Sequence, residues 1–126
     1  MITLKLDKST PHYDIDEPLT GELFWNELTA RCDLIELRLL WYTSGKGERD
    51  LEVVAKIAVM KPAASGQQRF HFDPPGGPYS FSGTLISVVW AIEAVTIPLS
   101  ESQITEFTFA PGGNEIRAGA GLETKA

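Results

Sequence analysis

Residues 79–97, YSFSGTLISVVWAIEAVTI, constrain the fold more than any other stretch of the chain. One parity of its central part reads Thr84, Ile86, Val88, Trp90, Ile92, Ala94, Thr96; the other reads Leu85, Ser87, Val89, Ala91, Glu93, Val95, Ile97. Both are rich in β-branched side chains, which fit a pleated surface. With Gly83 before it and Pro98 after it, the run reads as a strand rather than a helix. At ~3.3 Å per residue, positions 84–97 would cross a small domain from end to end. Trp90 sits in the middle of the more apolar face and is the expected core anchor.

A chain of 126 residues is long enough for one domain with a real core. Hydrophobic residues make up 43% of it and charged residues 22%, too apolar for a disordered chain. The net charge of −6 repels phosphate backbones, so nucleic acid is not an expected partner. Cys32 is the single cysteine and has nothing to pair with inside the chain, which agrees with a reducing cytoplasm. The first residues, MITLKLDKST, lack the apolar run of a signal peptide, and polar residues interrupt every apolar segment, so no membrane insertion is expected.

Short alternating runs follow one another along the chain. Ile2, Leu4 and Leu6 alternate with polar residues as a first strand. Residues 7–18, DKSTPHYDIDEP, carry two prolines and several acids and read as a loop. A second strand points Leu19, Gly21, Leu23 and Trp25 inward, with Gly21 marking a bulge or a close backbone approach. A third points Ile35, Leu37, Leu39 and Trp41 inward. The turn-rich residues 44–50 then lead into a fourth strand over 51–60, and the two form a hairpin. A polar loop over 61–68 precedes a short strand with Phe70 and Phe72 on one face. The prolines and glycines of DPPGGP, 73–78, exclude regular structure. After the central strand, 104–109 gives a last one with Phe107 and Phe109 inward. Residues 111–126 have little apolar content and read as a flexible glycine-rich tail behind a domain over 1–110. Many short strands between turn clusters imply a β-sandwich.

Two segments carry a family resemblance. YDIDEPLTGELFW, 13–25, resembles the arrestin amino-domain signature of tyrosine, turn, acid, aliphatic, glycine, aliphatic. RFHFDPPGGPYSFSGTLISVVWAIEA, 69–94, resembles a second one: an aromatic pair, a proline-rich turn, a Ser-aromatic-x-Gly step, and a strand that reads Val88, Trp90, Ile92, Ala94 here. The order and spacing of these pieces, rather than any one motif, carry the resemblance over roughly the first 110 residues. Ile15 and Asp16 stand where the family usually has a Pro-Gly turn. Arrestins and the arrestin-like retromer subunit have two such sandwiches; this chain has room for one. The resemblance implies an all-β, immunoglobulin-like (arrestin-like) antiparallel sandwich that works through protein contacts at sheet edges and strand faces.

A screen for chemistry is mostly negative. His12 and His71 lie on separate segments and read as loop or strand residues. Cys32 has two acids near it, Asp33 and Glu36, and no base, so it reads as an inert thiol. Asp7, Asp14, Asp16 and Glu17 supply carboxylates of the kind calcium takes, without the EF-hand spacing, and read as a solvated acidic loop. SGKG at 44–47 is half of a phosphate-loop pattern and opens no helix. No catalytic, cofactor or metal site is assigned, and an enzyme is not expected.

The remaining signal is apolar surface. If Ile35, Leu37, Leu39 and Trp41 point inward, then Leu34, Leu40 and Tyr42 point outward. Phe24 does so on the strand before, and Leu85, Val89 and Val95 oppose Trp90. Phe24, Leu40, Tyr42 and Val89 are therefore the expected protein-binding residues. The expected function is a non-enzymatic adaptor or scaffold module with a protein partner. The alternative is a structural subunit that forms homo-oligomers through the same surface.

Overall fold

The computed structural model describes residues 1–28, 31–45, 50–83, 86–98 and 101–117. Among them, ten strands follow in chain order: β1 (Ile2–Leu6), β2 (His12–Tyr13), β3 (Leu19–Trp25), β4 (Leu34–Gly45), β5 (Leu51–Met60), β6 (Gly66–Phe72), β7 (Phe81–Ser82), β8 (Ile86–Ile97), β9 (Ser102–Phe109) and β10 (Ile116–Arg117). A 3-10 turn, Pro111–Gly113, stands before the last. The small sheet has the order β1-β3-β6. The large sheet runs β10-β7-β8-β4-β5, with β9 paired to β8 and β2 paired to β9.

Period-two alternation decides which face each strand buries. On β3 the residues Leu19, Gly21, Leu23 and Trp25 are all buried. Facing them across the core stand Ile35, Leu37 and Leu39 of β4 and Trp90, Ile92 and Ala94 of β8. Trp90 is fully buried among aromatic rings: Phe107 and Phe109 lie 6.2 and 5.7 Å away between centroids, and Tyr13 and Tyr79 pack against those two. Its indole N–H donates to the Pro78 carbonyl at 2.6 Å, so the anchor is tied to the irregular segment that carries the chain from the small sheet to the large one.

Gly21 marks a close backbone approach, not a bulge. Its pairing with Leu6 and Phe70 is continuous, and a Cβ there would run into the Lys5 carbonyl and lie 2.6 Å from Phe70 Cζ. The two sheets are also clamped at β1, where the amides of Ile2 and Leu4 donate to the side chains of Glu101 and Gln103; the first bond is 2.7 Å. Side-chain acceptors thus satisfy donors that an edge strand would otherwise expose.

The sandwich is the expected one, and beside its antiparallel pairs it carries two short parallel ones, β2–β9 and β10–β7. Two expectations need correction. The acidic loop 7–18 contains β2, whose Tyr13 is a core residue. The glycine-rich segment does not leave the fold at 111: Gly113 is buried, and Ile116 N–H donates to the Ser80 carbonyl at 3.2 Å. The rest of the expected tail, 118–126, lies outside the described residues. No helix among the described residues is long and apolar enough to cross a membrane.

Candidate protein-interaction surface

The outer face of the large sheet is set by the register of β4 between its neighbours. Tyr42 stands opposite Leu51 on β5 and Val89 on β8. Leu40 stands opposite Val53 and Ala91, and Ala91 is opposite Glu106 of β9. Arg38 stands opposite Lys56 and Glu93, and Glu93 is opposite Ile104. Val54 has no partner on β4, which makes it a one-residue bulge. Because of it, Val53 shares the outer face with Leu40 while Ala55 pairs with the inward Leu39.

Leu40 is 2% exposed although it lies on the outer face, which corrects its expected place at the surface. Val95, on the same face, is buried too. The exposed apolar residues around Leu40 are Leu51 at 60% and Ile104 at 50%. Together Leu40, Tyr42, Leu51, Glu93, Ile104 and Glu106 line an open depression of about 390 Å³. The Tyr42 hydroxyl reaches across β8 and donates to the Glu106 carboxylate. Arg38 Nε meets Glu36 Oε2 at 2.6 Å, while its Nη1 is 3.5 Å from Glu93 Oε1.

Of the four residues expected from the sequence, Leu40, Tyr42 and Val89 fall together here. Phe24 does not: it lies on the outer face of the small sheet, with Lys5 Nζ 5.9 Å from its ring centroid. Leu85 lies outside the described residues. Leu51, Ile104, Glu93 and Glu106 were not expected. Ile104 was within reach of the parity of β9, since Phe107 and Phe109 point inward. Leu51 was not, because the bulge at Val54 reverses the parity of β5.

Asp7, Asp14 and Glu17 of the acidic loop are engaged within the chain. Asp7 accepts a 2.5 Å hydrogen bond from Arg69 Nη2, and that guanidinium holds its carboxyl below the usual range. Glu17 is held low mainly by the Lys8 ammonium at 2.9 Å, then by the Asp14 amide. Asp14 Oδ1 accepts from the amides of Ile15 and Gly112. Nearby, Tyr13 is pushed up to about 12, first by burial and then by the carboxylates of Glu17 and Asp7. Among the described residues no three His, Cys, Asp or Glu side chains are grouped to hold a metal ion. His12 Nδ1 is 3.0 Å from the Gly113 carbonyl, and His71 stands on the other sheet, 3.8 Å from Asp73. Cys32 Sγ donates to the Leu34 carbonyl at 3.4 Å. In the SGKG segment, Lys46 and Gly47 lie outside the described residues.

The fold is an arrestin-like β-sandwich, the all-β class expected from the sequence. Among solved structures, Spo0M, a sporulation control protein from Bacillus subtilis, is similar over 86% of this chain, with a TM-score of 0.59 and 17% identity. The match covers 48% of Spo0M, so this chain spans about half of that protein's length. The likeness is one of fold. A beta-glucosidase from Listeria innocua matches at a TM-score of 0.47 and 12% identity, over 92% of this chain and 16% of that one. No protein-family model and no curated protein matches the chain.

Proposed function

We propose that this chain is a non-enzymatic protein-interaction module, an adaptor or scaffold, that binds a protein partner in the cytoplasm through the outer face of its large sheet. One observation carries the reading: Leu51 and Ile104 stand exposed around the buried Leu40 in a single depression. Contiguous exposed apolar surface marks interaction sites more often than scattered leucines do. The sporulation control protein of similar fold has a regulator's name, which supports the same direction, although a fold does not by itself carry a function. This reading invokes no cofactor or metal, and the charge of −6 disfavours nucleic acid.

The test is a double variant, Leu51→Asp with Ile104→Asp. Both positions are exposed, so the fold should lose little, since surface changes commonly stay within about 0.5 kcal/mol. In cell extract the tagged parent should elute as a larger complex on size exclusion, and the variant at its own mass. An unchanged complex with a normal melt would overturn the reading. Light scattering on the purified parent separates the alternative: a stable dimer or higher oligomer there would favour a self-assembling subunit.

A further inference from the structure

The depression on the large sheet has a chemical preference beyond apolarity. Among the described residues its lining holds four apolar or aromatic side chains, Leu40, Tyr42, Leu51 and Ile104, and two carboxylates, Glu93 and Glu106, and no cation. Arg38 flanks it and bridges two carboxylates, the closer of them Glu36. Its Nε bonds Glu36 at 2.6 Å, while only the long 3.5 Å contact reaches Glu93. The Glu93 side chain remains 26% exposed. Lys56, opposite Arg38 on β5, stands in the row of Glu93 and Ile104, two strands from Glu93. Among the described residues, Glu36, Glu93 and Glu106 outnumber the flanking cations Arg38 and Lys56. The chain's net charge of −6 adds to the same sign.

An apolar floor with carboxylates at one side suits a side chain with an aliphatic stem and a cationic head. We propose that this depression receives an arginine side chain presented by the protein partner. The inference rests on the reading of this face as a protein-interaction surface. The stem would lie over Leu40 and Ile104, and the guanidinium would meet Glu93 and Glu106. Arginine fits better than lysine because its planar fork can engage a carboxylate with two parallel N–H bonds. An acidic or phosphorylated segment would instead meet two like charges.

The experiment follows the leucine and isoleucine methyl resonances of the whole chain during titration with acetyl-alanyl-arginyl-alanine amide. The control replaces arginine by norleucine, which keeps an aliphatic stem and lacks the charge. The expected result is a saturable shift of the Leu40, Leu51 and Ile104 methyls in the millimolar range, with arginine about fivefold tighter than norleucine, the scale of a partly exposed ion pair. Raising the salt to about 0.5 M should reduce that advantage. The Glu93→Gln and Glu106→Gln double variant should abolish it, and the amide introduced at position 106 would still offer an oxygen to the Tyr42 hydroxyl. Equal or tighter binding of the norleucine peptide overturns the inference and leaves the interaction face standing. No shift of these methyls with either peptide overturns it as well. The face itself is judged separately, by the Leu51 and Ile104 variant.

Discussion

The Tyr42 hydroxyl on β4 donates to the Glu106 carboxylate on β9, two strands away, across β8. Val89 and Ala91 are the β8 residues opposite Tyr42 and Leu40 on that face. The hydrogen bond joins a carboxylate of the depression to its aromatic wall. The depression that it crosses is lined from four strands, β4, β5, β8 and β9.

Leu40 and Leu51 should respond oppositely to truncation. Leu40→Ala removes a buried side chain and should cost about 2–5 kcal/mol, although Leu40 is on the outer face. Leu51→Ala should cost within about 0.5 kcal/mol. Urea denaturation of both variants checks this. Similar losses at the two positions would mean that the face is covered in the free protein.

Trp90→Ala should cost on the order of 3–5 kcal/mol, a large part of a small domain's stability. Trp90→Phe keeps much of the ring but leaves the Pro78 carbonyl without its donor, which should cost about 1–3 kcal/mol. A loss below about 1 kcal/mol for the alanine variant, read by denaturation, would contradict the placement of Trp90 as core anchor.

Gly21→Ala should destabilise by about 1–3 kcal/mol, because the added methyl meets backbone at Lys5 as well as the Phe70 ring. A thermal melt matching the parent's would show that β1 can move aside.

Tyr13 predicts the alkaline limb of stability. Among the described residues its buried hydroxyl has no hydrogen-bond partner, and its ionisation is pushed up to about 12. The unfolded chain ionises near pH 10, so this contribution is whole below pH ~10 and is lost as pH rises towards about 12. At most it amounts to about 3 kcal/mol. Tyr13→Phe should be close to neutral at pH 7 and should flatten the decline between about pH 10 and 12. An unchanged alkaline slope would contradict this.

Calcium should leave the melting temperature unchanged. A ligand that binds only the folded state raises apparent stability by mass action, and here Asp7 and Glu17 are already held by Arg69 and Lys8. A rise with millimolar calcium but not magnesium would contradict this and point to Asp14 and Asp16.

Strand parity made most of the sandwich legible. On β3 the alternation of Leu19, Gly21, Leu23 and Trp25 is clean because its two faces meet different solvents, core and water. What parity cannot carry was missed. Tyr13 sits in a two-residue strand between prolines, too short to show a period, and its parallel partner Phe109 lies far along the chain. The bulge at Val54 breaks the period of β5, so Leu51 and Val53 could not be placed from Ile57 and Val59. Parity put Leu40 on the correct face, but its burial depends on neighbours from other strands. Phe24 had the same outward parity as Leu40, and only the division into two sheets separates them.

A photo-crosslinking residue, benzoylphenylalanine, placed at position 104 or at position 24 and activated in cells tests the large-sheet face most directly. The expected result is a discrete adduct from position 104, heavier or lighter than a dimer of this chain, that is lost when Leu51→Asp is added. Position 24, on the opposite sheet, should give none. Adducts from position 24 alone, or an adduct from 104 that survives Leu51→Asp in a folded variant, would contradict the assignment of this face as the partner surface.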